Sequence, residues 1–162
     1  IGIGCADGRI GKAWIHTTPG QDNQWDIAKE EFMERMTEST KAVVDHFGRH
    51  ITYVNVMRNM SVSCDCEGLA AAPVVTPNVG ILSSTDILAL DQACVDLVYA
   101  MTEAEHHDLV ERIESRHGLR QLSYMKELGM GNDRYVLIDL DNGGRRITPA
   151  EAVKGLKPFV AE

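Results

Sequence analysis

Apolar positions along the chain recur with two different spacings, which predict helices alternating with strands. Residues 25–47 show the three- to four-residue spacing of an amphipathic helix, with Asp26 and Gly48 as the expected caps. Its apolar stripe is predicted to contain Phe32, Met36, Val43 and Phe47. The same spacing predicts three more helices, over residues 86–102, 104–115 and 119–129. We expect Ser84 and Thr85 to cap the first of these three.

Shorter apolar runs predict strands. Residues 50–58 are rich in β-branched and aromatic side chains, and only Asn55 interrupts the run. Residues 80–82 and 134–140 read as further strands, the last followed by a turn at 141–144. Thr148 to Glu151 form a capping-box sequence for a final helix. The pattern predicts an α/β fold, a mixed sheet with flanking helices, layered as one domain over residues 1–162.

Residues 1–24 lack a helical period and hold five of the 14 glycines, so we interpret them as a glycine-rich loop segment. The chain begins with Ile1, and we expect it to be the C-terminal fragment of a longer protein. Its 162 residues, 44% hydrophobic and 25% charged, are typical of one soluble domain.

The formal charge and the cysteine count limit the classes of binding partner and the cell compartment that we expect for this chain. A formal charge of −8 argues against nucleic-acid binding, and no apolar run reaches the roughly 18 residues of a membrane span. Four cysteines, two of them in one tripeptide, do not resemble a disulfide framework, so a reducing, cytoplasmic location is expected.

The tripeptide Cys64-Asp65-Cys66 follows the strand predicted over residues 50–58 and is the sharpest chemical feature. In extended backbone both thiols would share one face, with Asp65 on the other. The pair could ligate a soft metal, form a reversible disulfide, or remain as two inert buried thiols. Cys5 and His16 could complete a Cys₃His set for zinc or for an iron cluster, although His16 could also be an ordinary loop histidine.

Other candidate side chains have simpler interpretations. Asp91 could reach the Cys-Asp-Cys loop and tune the site as Asp65 would, or it could be a solvated surface carboxylate. Cys94 lies on an apolar stripe and is expected in the core. Adjacent helical residues do not face each other, so His106 and His107 are expected to be exposed rather than chelating.

Four ordered blocks resemble one family. They are GIGCADGRIGKAWIHT, ITYVNVMRNMSVSCDC, VGILSSTDILALDQACVDLV and LRQLSYMKELGMGNDRYVLID. Together they resemble the C-terminal portion of the uncharacterised iron–sulfur-centre proteins, domain of unknown function 362. The resemblance implies an α/β protein carrying an inserted ferredoxin module. Here only residues 17–24 separate the first block from the long helix, and no Cys-x-x-Cys-x-x-Cys run occurs, so a two-cluster module is excluded.

The resemblance suggests a metal- or iron–sulfur-centre protein with an electron-transfer or redox role and a redox partner protein. Its predicted ligands are Cys64, Cys66, Cys5 and His16, holding zinc, iron or a cluster. Two alternatives remain open: a thiol–disulfide redox protein using Cys64 and Cys66, and a non-catalytic scaffold that has lost its cofactor module. A homo-oligomer, or a missing N-terminal half that would share the sheet, is also expected.

Overall fold

The computed structural model describes residues 6–8, 11–17, 27–63 and 69–160. The chain divides into two compact units, each described by itself below. The helical unit comprises Ile1–Ile51 and Ile113–Gly131, and the sheet unit comprises Thr52–Arg112 and Asn132–Glu162. The single domain expected over residues 1–162 stays a prediction.

The α/β class predicted from the sequence is confirmed, because helices and strands both occur and the described strands form two antiparallel pairs. The helices are α1 (Gly11–His16), α2 (Lys29–Phe47), α3 (Ile87–Tyr99), α4 (Glu103–Ser115), α5 (Arg120–Glu127) and α6 (Pro149–Ala152). The strands are β1 (Tyr53–Met57), β2 (Gly80–Ser84), β3 (Leu137–Asp139) and β4 (Arg145–Ile147). Within the described ranges, none of the helices combines the length and apolar character that a membrane crossing requires.

Helix α2 organises the helical unit, with α1 and α5 packed on it. Its most buried side chains are Met33, Thr37 and Thr40, while Phe47 is exposed. The buried stripe is therefore displaced from the predicted one, which contained Phe47. The two threonines can be buried because each hydroxyl donates to the carbonyl oxygen four residues earlier, over 2.8 and 2.9 Å.

The interpretation of residues 1–24 as a loop is wrong in its described part, since Gly11–His16 form helix α1. A six-residue helix is too short to show a period, and its one deeply buried side chain, Ile15, gives it a place to pack.

One of the two predicted caps of α2 is confirmed, and the other lies outside the described residues. Gly48 ends the helix with φ +55° and donates to the Val44 carbonyl oxygen, whereas the N-cap is Ala28 and Asp26 lies outside the described residues.

Strands β1 and β2 form the larger antiparallel pair of the sheet unit, with Tyr53 opposite Ser84 and Met57 opposite Gly80. Tyr53 and Met57 are buried on the face that packs against α3, as alternation along a strand requires. Helix α3 contributes the fully buried Leu88 and Leu97 to this core. The outer face carries Val54, Val56 and Ile81, all exposed.

Helix α3 begins at a different cap from the predicted one. Asp86 is the N-cap, and its carboxylate accepts from the Ala89 amide over 2.9 Å. Ser84, the last residue of β2, instead accepts from the Asp86 amide.

The C-terminal part of the sheet unit contains the second pair, β3 and β4. Strand β4 was not predicted, because Arg145 and Arg146 give it no alternation of apolar and polar residues. The turn before it contains Gly143 and Gly144 with φ of +77° and +72°, which suits glycine. The capping box from Thr148 to Glu151 is confirmed, and α6 packs on α3.

Candidate functional site

Only one of the four predicted metal ligands lies among the residues that the structure describes. Cys5, Cys64, Asp65 and Cys66 lie outside the described residues, whereas His16 is described. The metal site therefore stays a prediction. Within the described ranges, no group of three histidine, cysteine, aspartate or glutamate side chains could hold a metal ion.

The described residues on either side of the Cys-Asp-Cys segment are tied to one another. Beyond β1, the amide of Asn59 donates to Oδ1 of Asn78 over 2.8 Å, and the amide of Ala72 donates to Oγ of Ser63 over 2.8 Å. Ser63 immediately precedes Cys64. Its own amide donates to Oγ of Ser61 over 3.0 Å, which fixes the last described turn before the first thiol. Two hydrogen bonds therefore join the two sides of the chain segment that connects β1 to β2. One links Asn59 to Asn78, and the other links Ala72 to Ser63, next to the cysteine segment.

Asn55 is the polar residue that interrupts β1, and the structure explains its presence. It lies on the inner face with Tyr53 and Met57, opposite α3. Its Nδ2 donates to Oδ1 of Asp91 over 2.7 Å and to Sγ of Cys94 over 3.3 Å. We call Asn55, Asp91 and Cys94 the Asn55 cluster. It joins the strand that leads to Cys64 to the helix behind it.

Asp91 is half-buried and hydrogen-bonded, so its alternative interpretation as a solvated surface carboxylate is wrong. Burial raises its pKa above the ordinary value of 3.8, and the hydrogen bond from Asn55 partly opposes the rise by stabilising the carboxylate. Asp91 is therefore a carboxyl group that can hold a proton at a higher pH than an exposed aspartate can. Whether it tunes the predicted metal site stays a prediction.

Cys94 is reduced and half-buried rather than fully in the core. Burial raises the pKa of its thiol, the Asn55 hydrogen bond lowers it, and the nearby charge of Asp91 raises it. Because the thiolate is the nucleophile, a raised pKa makes Cys94 react slowly with electrophiles at neutral pH.

Two further carboxylates of α3 and its cap are engaged by groups that the sequence pattern did not reveal. Asp96 accepts from the Tyr135 hydroxyl over 2.7 Å and from Nε2 of Gln92 over 2.8 Å. Burial, together with the Asp96 hydrogen bond and charge, raises the pKa of the Tyr135 phenol. Asp86 accepts from the backbone amide and Nδ2 of Asn132, each over 2.9 Å. An interrupted apolar run was a signal for Asn55, but no local signal marks Tyr135 or Asn132.

His16, the described member of the predicted ligand set, is the last residue of α1 rather than a loop histidine. Its Nδ1 lies 2.7 Å from the carbonyl oxygen of Lys12, and its ring meets Phe32 edge-on with centroids 5.2 Å apart. A carbonyl oxygen only accepts, so Nδ1 carries the hydrogen and the neutral ring has its lone pair on Nε2. Metal-binding histidines commonly use this arrangement, so His16 fits the role of a ligand.

The other histidines differ partly from expectation. His107 is exposed and pairs with Asp108 over 3.0 Å, as a non-chelating residue would. His106 is half-buried instead, and among the described residues its buried Nδ1 has no hydrogen-bond partner. His117 adopts φ +57° and lies 3.2 Å from Glu30, at an open groove of about 580 Å³ in the helical unit.

The chain was compared with models of known protein families, with curated proteins and with solved structures. A family model described as a domain of unknown function, DUF362, matches residues 1–96, which include β1, the cysteine segment and most of α3. Neither a curated protein nor a solved structure matches the chain. Because the model covers more than half of the 162 residues, the chain belongs to the DUF362 family.

Proposed function

We propose that this chain is a metal- or iron–sulfur-centre protein with a redox or electron-transfer role, in which Cys64 and Cys66 are ligands. Cys5 and His16 are the further ligands that the sequence predicts. The observation that carries the proposal is the double closure of the β1–β2 connection, by Asn59 with Asn78 and by Ser63 with Ala72. This closure restrains the backbone at the residue before the first thiol.

The physical argument concerns the cost of ordering a ligand loop. Fixing the backbone of one residue costs roughly 1–2 kcal/mol, and a metal site must order the short segments that carry its ligands. Hydrogen bonds that already join the flanks of a short segment reduce that cost before any ion binds. A paired strand with a packed helix behind it is a rigid support of the kind on which ligand loops are usually held.

The donor chemistry suits a soft metal. Thiolates select zinc, copper(I) and iron–sulfur clusters, and an imidazole nitrogen suits zinc and iron. A bound cluster would supply one-electron chemistry. The chain's own residues would lose the thiol protons on binding, so the apparent metal affinity should rise with pH. Asp65 lies between the two cysteines in the sequence, so its carboxylate would be the one nearest along the chain to the thiols that lose their protons.

Metal analysis of the anaerobically purified chain tests the proposal. About one zinc, or several irons with acid-labile sulfide, should accompany each chain and be lost in Cys64→Ser and in Cys66→Ser. Cys94→Ser is the matched control, because its thiol is half-buried against Asn55 in the same unit. It should keep the metal.

Three other results would contradict the proposal. A metal-free chain whose Cys64 and Cys66 form a disulfide that dithiothreitol reduces reversibly would be a thiol–disulfide protein. A metal-free chain whose two thiols react with Ellman's reagent only after unfolding would be a scaffold. Equal metal content in Cys64→Ser, Cys66→Ser and Cys94→Ser would also rule out these ligands.

A further inference from the structure

The chain segment that leads into β3 and runs through it has one covered side and one exposed side. On the covered side, the Tyr135 hydroxyl donates to Oδ2 of Asp96 on α3 over 2.7 Å, and Leu137 is half-buried. On the other side every second residue is exposed, as expected for extended backbone. The exposed positions are Arg134, Val136, Ile138 and Leu140. The hydrogen bond to α3 therefore helps to turn these four side chains toward water.

Three aliphatic side chains in this row are exposed one after another. Val136 is 57% exposed, Ile138 42% and Leu140 81%. Single exposed aliphatic residues are ordinary on protein surfaces, whereas a contiguous set of them is typical of an interaction site. The row is therefore a candidate for contact with another apolar surface.

Two arginines border the aliphatic row. Arg134 precedes it on the exposed side, and Arg146 of β4 is paired with Ile138 in the strand register. Residues directly opposite in an antiparallel pair share one face, so Arg146 belongs to the same surface. Within the described ranges, neither guanidinium forms an ion pair or a side-chain hydrogen bond, whereas the neighbouring Arg145 lies 4.0 Å from Asp139. We call the following residues the β3 surface: Arg134, Val136, Ile138, Leu140 and Arg146.

The charge of the β3 surface is opposite to that of the unit that carries it. The sheet unit holds seven Lys or Arg residues against fourteen Asp or Glu residues, and five of those seven cations lie in residues 132–162. Unpaired cations attract carboxylates, and complementary charges bring two partners together and fix their orientation. Aliphatic side chains bordered by two cations therefore match a partner whose apolar side chains are bordered by acids.

The outer face of β1 and β2 is also apolar but lacks this signal. Val54, Val56 and Ile81 are exposed there, and Arg58, the residue after β1, is already engaged. Among the described residues of that face, no unpaired charge would select one kind of partner over another. It therefore serves as a comparison for the β3 surface.

The direction of the aliphatic side chains indicates the shape of the partner. They project from the face of the β3–β4 pair, so a strand added at its edge would lie beside the row and leave it exposed. A helix laid across the face would cover the row, as α3 covers the inner face of β1 and β2.

We propose that the β3 surface binds an acidic amphipathic helix of a partner protein. The apolar stripe of that helix covers the aliphatic row, and its flanking carboxylates pair with Arg134 and Arg146. Three aliphatic side chains and two cations form a small contact area, which is typical of a transient complex. The β3 surface shares no residue with the proposed metal ligands, so this proposal does not rest on the proposed function.

Fluorescence anisotropy with a labelled synthetic peptide tests the proposal on the full chain. The probe is a peptide of about 18 residues with leucines at helical spacing and glutamates at the other positions. Arg134→Gln and Arg146→Gln should each weaken its binding about 1.5- to 5-fold, as expected for partly hydrated ion pairs. Ile138→Thr should weaken it about 3- to 10-fold, because apolar contact area is lost.

Two variants are matched controls, and circular dichroism confirms the fold of every variant. Arg145→Gln removes the neighbouring arginine of the same strand, which is paired with Asp139. Ile81→Thr changes an isoleucine exposed on the other antiparallel pair. Both should bind the probe as the wild-type chain does.

Two control peptides test the chemistry of the partner. One has lysine in place of every glutamate, and the other keeps the composition of the probe but scatters its leucines around the helix. Both should bind at least about tenfold more weakly than the probe, a difference of about 1.4 kcal/mol. Equal binding of either peptide would overturn the proposed partner.

Other results would overturn the proposal as a whole. They are an absence of probe binding to the wild-type chain at about 1 mM peptide, and an unchanged affinity in the double variant Arg134→Gln, Arg146→Gln. A dimer in sedimentation velocity that this double variant dissociates would show that a second copy of the chain covers the surface instead. Binding to phosphatidylcholine vesicles with about 30% phosphatidylserine, lost in the same variant, would identify a membrane surface instead.

Discussion

The polar contacts between α2 and α5 in the helical unit and the Asn55 cluster in the sheet unit show two ways of joining secondary structure elements. In the first, Arg120 pairs with Glu34 at 2.6 Å and with Glu127 at 2.6 Å, and its guanidinium stacks over Tyr124. In the second, one amide bridges a carboxyl group and a thiol that are both half-buried.

The difference between these regions is their access to water. Arg120, Glu34 and Glu127 keep 25%, 32% and 55% of their side-chain area in contact with water, so their attraction is partly screened and competes with hydration. The Asn55 cluster is largely removed from water, so a lost hydrogen bond there leaves a desolvated group without a partner. The comparison predicts that the single amide in the sheet unit matters more for stability than the more numerous ion pairs of the helical unit.

Removing the amide should have the largest effect. Asn55→Ala leaves the half-buried Asp91 without its donor, and we expect a loss of about 1–3 kcal/mol in the free energy of unfolding, measured with urea. Val54→Ala, on the exposed face of the same strand, is the control and should lose less. Equal losses in the two variants would mean that water replaces Asn55 at no cost, and the comparison would fail.

The pH dependence of stability should sharpen the comparison next. The pKa of Asp91 is raised in the folded chain, so folding favours its protonated form. The stability that this preference gives is fully present below pH 3.8 and is lost as pH rises through the folded pKa. We therefore compare the free energy of unfolding of the wild-type chain with that of Asp91→Asn. The difference should change against the wild-type chain as the pH rises from 3.8 through the folded pKa of Asp91, and it should stay constant at higher pH.

Carbon-13 titration of the Asp91 carboxyl checks the cause directly. In Asn55→Ala its pKa should rise further, because the hydrogen bond that opposes the effect of burial is gone. A fall in that pKa would contradict the lowering effect assigned to the Asn55 hydrogen bond.

Thiol chemistry should show a smaller effect of the same cluster. In a Cys5→Ser, Cys64→Ser, Cys66→Ser background, Cys94 should react slowly with iodoacetamide at neutral pH, because burial raises its thiol pKa. Adding Asp91→Asn should speed the reaction by removing a nearby negative charge. The rate should then approach its plateau at a lower pH; an unchanged pH profile would show that Asp91 does not act on the thiol.

The smallest effect is expected in the helical unit. Arg120→Gln should lower the melting temperature only slightly at low salt, because Arg120, Glu34 and Glu127 all keep part of their side chains in water. The difference between variant and wild type should shrink further at about 1 M sodium chloride, where screening acts over roughly 3 Å. A loss as large as that of Asn55→Ala, and independent of salt, would reverse the comparison.

Much of the fold followed from local pattern. Helices α2 to α5 and strand β1 begin and end within a few residues of their predicted bounds, and Gly48 and the capping box from Thr148 act as expected. Helix α1 and strand β4 were missed because each is too short, or too polar, to show a period. The displaced buried stripe of α2 has a different cause: neighbouring elements decide which side of an amphipathic helix is covered most deeply.

The sequence by itself determined the alternation of helices and strands, the two-residue spacing of Cys64 and Cys66 and the acidic balance of the chain, since these depend on neighbouring residues or on totals. Only the tertiary structure decided that Asn55 donates a hydrogen bond to Asp91, 36 residues away. The same holds for the hydrogen bonds from Arg35 to the carbonyl oxygens of Trp14 and Thr17. These contacts join groups brought together by the packing of α3 on β1 and of α1 on α2. Burial and orientation then set the pKa of Asp91 and the tautomer of His16, because both properties depend on surroundings that no stretch of sequence contains.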